Sequence, residues 1–191
     1  LWFKFVPDNP KQSPYVNEAE LEHINDGREN TVEAKEIAPW GKLLKSSQFW
    51  SLGLQFMITD YIMYVFLAWL PLYLMEVHGF SLSKMGLWAA APWLSLMAVV
   101  SCCGYLSDKA IAAGFSQNLV KTSTGAVGIL LCACTLFIAT RTADPMMNVF
   151  WLSVALGSLG LTMSASWSSV ISMGGRFAGS VSGWMNFWGN I

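Results

Sequence analysis

The chain has 191 residues, of which 54% are apolar, 14% aromatic and 12% charged, against about 25% charged in a soluble domain. A net charge of -1, from 11 basic and 12 acidic side chains, excludes the basic excess by which a nucleic-acid binder is recognised. The composition also excludes intrinsic disorder, a collagen-like repeat and a small disulfide scaffold, and it points to a membrane protein.

In chain order, residues 1 to 6 form an apolar tail that reads as the end of an earlier helix. Residues 7 to 48 read as a cytoplasmic linker: Pro7, Pro10 and Pro14 break it early. Asn17 to Asn30 is acidic, and Glu18, Glu20, Glu22, Asp26 and Glu29 make a solvated face. Pro39 and Trp40 mark the return to the interface, where Trp40 and Trp50 suit the aromatic belt. A crossing helix needs about 20 mainly apolar residues, and four runs meet this: 49–74, 85–106, 122–140 and 147–172. A fifth run, 177–191, is truncated. Runs this long favour helices over barrel strands of about ten alternating residues. The chain opens without Met and stops inside an apolar segment, so it reads as a fragment of a larger membrane protein.

Orientation follows from the basic residues. With the linker inside, Lys4, Lys11, Arg28, Lys35, Lys42, Lys45, Lys109, Lys121 and Arg176 are cytoplasmic, and Lys84 and Arg141 lie outside. Cys102, Cys103, Cys132 and Cys134 sit in apolar runs without CxxC spacing or a His partner, so they read as buried thiols and not as a metal or redox centre. His23 and His78 are isolated. No triad, phosphate loop or nucleotide motif is present, so neither an enzyme nor a cofactor is expected.

Polar groups deep in a span are costly and need a partner or a cavity. Asp60 stands about 16 Å along the axis from Phe49 at 1.5 Å per residue. It reads as a coupling carboxyl or as a packing group bonded to a neighbouring helix. Gln55, Tyr61 and Tyr64 share its span, and residues three apart can point their hydroxyls into one cavity. Thr162, Ser164, Ser166, Ser168 and Ser169 make a small polar stretch suited to helix packing. Gly179-x-x-x-Gly183 is a small-xxx-small pattern for close helix approach, which would let one half of a carrier rock against the other.

Several motifs together resemble one family. Phe5-Val6-Pro7-Asp8-Asn9-Pro10 with Glu18 to Ile24 resembles the linker after the sixth helix of anion:cation symporters of the major facilitator superfamily. Tyr61-x-x-Tyr64-x-x-x-x-Trp69-x-Pro71-x-Tyr73-Leu74 and His78-Gly79-Phe80-Ser81 resemble its seventh helix and the following turn. Gly104-Tyr105-Leu106-Ser107-Asp108-Lys109 resembles the signature between helices eight and nine, and Ala178 to Asn186 with Gly189-Asn190 the eleventh helix. The resemblance implies an all-α membrane protein, the carboxy-terminal-half fragment of a twelve-helix carrier, with residues 49–191 forming its helix bundle. It implies that the missing amino-terminal half supplies the substrate arginines and most coupling acids.

The match is nearest to bacterial sugar-acid/proton symporters for galactonate, glucarate and hexuronates, with phosphate, plastid anion and vesicular glutamate carriers as relatives. It implies that Ser166, Trp167 and Asn186 contact substrate alongside Gln55, Tyr61 and Tyr64, and that Asp108 and Lys109 hold an inner-gate contact; a plain capping role for Asp108 is the alternative. The expected activity is movement of a small organic anion across an inner or plasma membrane with a proton or sodium ion. A phosphate or glutamate-like carrier, or a membrane-embedded enzyme or receptor, are the alternatives.

Overall fold

The computed structural model describes residues 11, 13, 14, 16–26 and 38–191, with the backbone alone for 23–26. The apolar start at 1–6, the motif at 5–10, and Arg28, Glu29 and Lys35 lie outside the described residues, as does the His23 side chain. Two compact units are present, Leu1–Ala38 and Pro39–Ile191. Among the described residues all regular elements are helices, so the all-α expectation holds.

In the first unit α1 spans Glu18–Asp26. Asn17 Oδ1 accepts a 2.8 Å bond from the Glu20 amide, satisfying one of the donors a helix start leaves free.

The second unit begins with a single turn, α2 (Trp40–Leu43). Four long helices follow: α3 (Ser47–Glu76), α4 (Leu82–Ala112), α5 (Gln117–Arg141) and α6 (Pro145–Gly174). A 3-10 turn, Gly175–Phe177, leads into α7 (Ala178–Gly189). The starts are set by side chains that accept first-turn amides: Ser81 from Lys84, Ser116 from Leu119 at 3.2 Å, and Asp144 from Met147 at 2.8 Å, with Pro145 at the first helical position. Gly79, at φ 65°, ends α3. The Phe80 amide then bonds Leu74 O at 3.0 Å and the Gly79 amide bonds Met75 O at 3.1 Å. Leu74 and Phe80, both buried, close that end as the hydrophobic contact of the motif.

α6 is the central helix, with Ala155–Gly160 buried throughout. α5 and α4 pack most extensively against it, while α7 lies mainly along α3. Glycines set the closest approaches. A Cβ at Gly128 would lie 2.5 Å from Thr162 Oγ1 and 2.7 Å from Ser158 O, and one at Gly160 would lie 3.1 Å from Leu96 O. Gly157 faces Ser95 in the same manner.

Two apolar clusters result. One gathers Phe66, Leu70, Leu74, Phe80, Leu96, Leu156 and Leu159. The other gathers Phe49, Leu52, Phe56, Val170, Val181 and Met185. Between them, α3 and α6 carry a polar waist of Gln55, Thr59, Asp60, Thr162 and Ser166.

The outer faces are apolar. Leu54, Ile58, Leu67, Leu87, Leu94, Met97, Leu130 and Phe137 are among the exposed side chains, and the described helices include four candidate spans by length and composition. Exposed apolar surface on this scale belongs against lipid. Cys103 and Cys132 are buried, but Cys102 and Cys134 are exposed. The expectation that all four thiols are buried is therefore corrected, because an apolar run in lipid has an outward face as well as an inward one.

Candidate functional site

The polar waist is held by bonds between helices. Gln55 Nε2 on α3 donates to Ser166 Oγ on α6 at 3.3 Å. Ser166 in turn donates to Thr162 O at 2.9 Å, and Thr162 Oγ1 donates to Gly125 O on α5 at 3.2 Å. Thr59, fully buried, donates to Gln55 O at 2.9 Å. Three helices are thus tied within their apolar spans, where hydroxyls and amides have little water to bond instead. Ser169 bonds Ala165 O within its own helix at 2.7 Å, the self-satisfied arrangement of a packing hydroxyl.

A second polar row runs along α3 and α7, which lie parallel: Phe49 stacks on Trp184 at 3.7 Å, and Tyr64 bonds Asn190 further along both helices. Tyr64 Oη donates to Asn190 Oδ1 at 2.9 Å. Asn190 Nδ2 donates to Asn186 O at 2.8 Å, and Asn186 Nδ2 donates to Ser182 O at 3.0 Å. Asp60 lies against Gly189, its Oδ2 atom standing where a Cβ on residue 189 would be built.

The sequence-predicted residues therefore separate into two groups. Gln55 and Ser166 bond each other, and Tyr64 is joined to Asn186 through Asn190. Tyr61 is 69% exposed and Trp167 39% exposed. Trp167 meets the Phe56 ring edge-on at 6.1 Å. Asp60, the Tyr61 hydroxyl, the Trp167 indole N–H and Asn186 Oδ1 have no hydrogen-bond partner among the described residues. These free groups include both donors and acceptors, and Trp167 adds an aromatic ring.

Asp108 and Lys109 lie apart from the waist near the end of α4, both exposed, with the Lys109 ammonium 4.6 Å from the centre of the Tyr105 ring. Gly179 and Gly183 face open space, with nothing within 4 Å of a built Cβ. Neither of two grooves in the molecule includes the predicted residues. One of about 410 Å³ lies among Phe66, Trp69, Tyr73 and Leu136, and one of about 480 Å³ among Cys103, Phe115, Leu119 and Leu161. Among the described residues, no cluster of His, Cys, Asp or Glu is arranged to hold a metal.

Sequence reasoning did not single out Thr59 or Lys121 for a structural role, nor Asn190 as a link between helices. Lys121, 8% exposed, donates to Ser168 O at 3.0 Å and to Ser172 Oγ at 2.8 Å, clasping the end of α6. The signal available was a cation near the start of a helix whose other charge, Arg141, is its last residue; a cation within a span is costly unless it is bonded. Asn190 stands four residues after Asn186, a spacing that shares one helix face.

A sequence profile of the Major Facilitator Superfamily matches residues 1–191. The chain is similar to a chloroplastic ascorbate transporter of Arabidopsis thaliana, 28% identical over 97% of this chain and 34% of the relative. It is 31% identical to the probable sulfoacetate transporter SauU of Cupriavidus necator, over 97% of this chain and 43% of that protein. It is 27% identical to the D-galactonate transporter of Escherichia coli, over its whole length and 46% of that protein. The chain thus spans between a third and a half of the length of these relatives.

Proposed function

This chain belongs to the major facilitator superfamily, a multi-pass membrane protein, and on that premise we propose that it is the carboxy-terminal part of a secondary carrier for a small organic anion. The cargo is a hydroxylated carboxylate of the sugar-acid type, moved with a proton. Related carriers bind substrate near the midplane between two halves and expose it to each side in turn.

The observation that supports this reading is the set of polar groups left without a partner on three apolar helices: Tyr61 on α3, Trp167 on α6 and Asn186 on α7. The Trp167 face covers the carbon skeleton, while the Asn186 amide and the Tyr61 hydroxyl address hydroxyl or carboxylate oxygens. Gln55 and Ser166 hold α3 against α6 through their mutual bond, and Tyr64 fixes α3 against α7. An amino-terminal half supplies the facing wall and the charge that answers the anion. Gly179 and Gly183 present small surfaces for that half to approach, and Asp108 with Lys109 acts at the inner gate. The linker 7–48 joins the two halves. Relatives that carry ascorbate, sulfoacetate and galactonate support an organic anion as cargo.

The test is thermal stabilisation of the full-length protein by galactonate, glucarate, glucuronate, phosphate and glutamate in turn. A sugar acid is expected to stabilise the wild type and to lose that effect in Trp167→Ala and Asn186→Ala. Stabilisation by phosphate alone would keep the family and overturn the cargo.

A further inference from the structure

The seam between α3 and α7 is built from two reciprocal fits. Gly53 of α3 receives the α7 indoles, a Cβ there lying 2.6 Å from Trp184 and 3.0 Å from Trp188. Gly189 of α7 receives α3: the Asp60 carboxylate fills its missing Cβ position, and two Phe56 ring carbons lie 3.0 Å from that point. Gly53, Phe56, Asp60 and Tyr64 recur at spacings of three and four, so they form one face of α3 turned to α7. The Tyr64–Asn190 bond then fixes the register of the two helices one turn beyond Asp60.

Asp60 is unusual within this seam. It is half-buried in a membrane span, yet no donor among the described residues bonds its carboxylate. α6 and α7 bring no titratable side chain to this face, and the titratable neighbours on its own helix are Tyr61 and Tyr64. An intramembrane carboxyl in that position is held by shape and not by charge. We infer that Gly189 and Asn190 are positioning residues for the Asp60 carboxyl: the bare glycine leaves the space that it occupies, and the asparagine holds the turn of α7 that borders it.

This inference rests on the reading of the chain as a proton-coupled carrier in which Asp60 takes a proton from one aqueous side and releases it to the other. A methyl group at residue 189 cannot coexist with the carboxylate in its present place, and Phe56 blocks the alternative on the ring side. Asp60 must then leave its seat. Loss of the Asn190 amide frees Tyr64 and loosens the same border.

The experiment uses full-length protein in proteoliposomes and two readouts. The first is modification of Asp60 by dicyclohexylcarbodiimide, in which the carboxyl O–H adds across a C=N bond of the reagent, followed by mass spectrometry across pH. Gly189→Ala and Asn190→Ala are expected to raise the labelling rate by about threefold or more, since sub-ångström to ångström displacements change reaction rates strongly. Gly86→Ala, where nothing lies within 4 Å of the added methyl, serves as the control and keeps the wild-type rate. Wild-type labelling in both seam variants overturns the inference. Where Gly189→Ala does not fold, Asn190→Ala, at an exposed position, decides alone.

The second readout is pH-gradient-driven galactonate accumulation by Asp60→Asn. Its loss supports the coupling role, whereas wild-type accumulation removes that role whatever the labelling shows. Failure of the coupling reading is thereby told apart from failure of the seating.

Discussion

Gly128→Ala puts the helix packing at the centre of the molecule to a quantitative test. The added methyl would sit 2.5 Å from Thr162 Oγ1 and 2.7 Å from the Ser158 carbonyl oxygen, with Leu161 Cβ at 3.0 Å. The Thr162 side chain can rotate away, at the loss of its 3.2 Å bond to Gly125 O. The Ser158 oxygen belongs to the fully buried stretch of α6 and cannot move without shifting the helix. Overpacking of this kind costs about 1–3 kcal/mol, and the lost interhelical bond adds about 0.6 kcal/mol. The gain in helix propensity from glycine to alanine returns at most about 1 kcal/mol. A net loss of about 0.6–2.6 kcal/mol is expected, or about a 3- to 80-fold fall in the folding equilibrium. Reversible unfolding of the full-length protein in mixed micelles measures it, with Gly86→Ala as the comparison. The double variant Gly128→Ala/Thr162→Ala should recover part of the loss and not all of it, because the Ser158 oxygen remains in place. Equal stability of Gly128→Ala and Gly86→Ala would refute the packing argument.

The remaining predictions address the polar waist and the ends of the helices. Gln55→Ala and Ser166→Ala should be non-additive in KM for the transported anion, because each removes the same 3.3 Å bond; a strictly additive double variant contradicts the tie. Trp167→Ala should raise KM more than Trp151→Ala, since only the former stands against Phe56 at the waist; equal effects contradict that placement. Lys121→Ala should destabilise by about 1–3 kcal/mol through the lost bonds to Ser168 O and Ser172 Oγ and the emptied volume, with KM unchanged. A selective rise in KM with full stability would move Lys121 into the binding site.

The long helices were legible because their apolar runs exceed what a strand or a buried loop requires; their true starts, capped by Ser81, Ser116 and Asp144, precede the runs read from 85, 122 and 147, because hydropathy does not mark a polar cap. Which glycines meet a neighbour was not legible. Gly179 and Gly183 carry the familiar spacing and face open space, while Gly128, Gly157 and Gly160 make the close contacts. Spacing defines a face, but only the crossing of helices decides what that face meets. Tyr61 and Tyr64 illustrate the same limit. Three residues differ by about 60° around a helix of 3.6 residues per turn, enough to leave Tyr61 exposed while Tyr64 reaches Asn190. Gln55 and Ser166 were both legible as deep polar groups. Their bond across 111 residues of sequence is a product of tertiary packing that no local pattern carries.

The account turns most directly on uptake by full-length protein sealed into liposomes with an imposed pH gradient. It predicts that galactonate, or another sugar acid from the same set, accumulates when the gradient favours proton entry, and that this accumulation collapses when a protonophore dissipates the gradient. Accumulation that ignores the pH gradient and follows sodium would contradict the proton, and movement of phosphate alone would contradict the cargo. No movement of any anion would contradict the central claim.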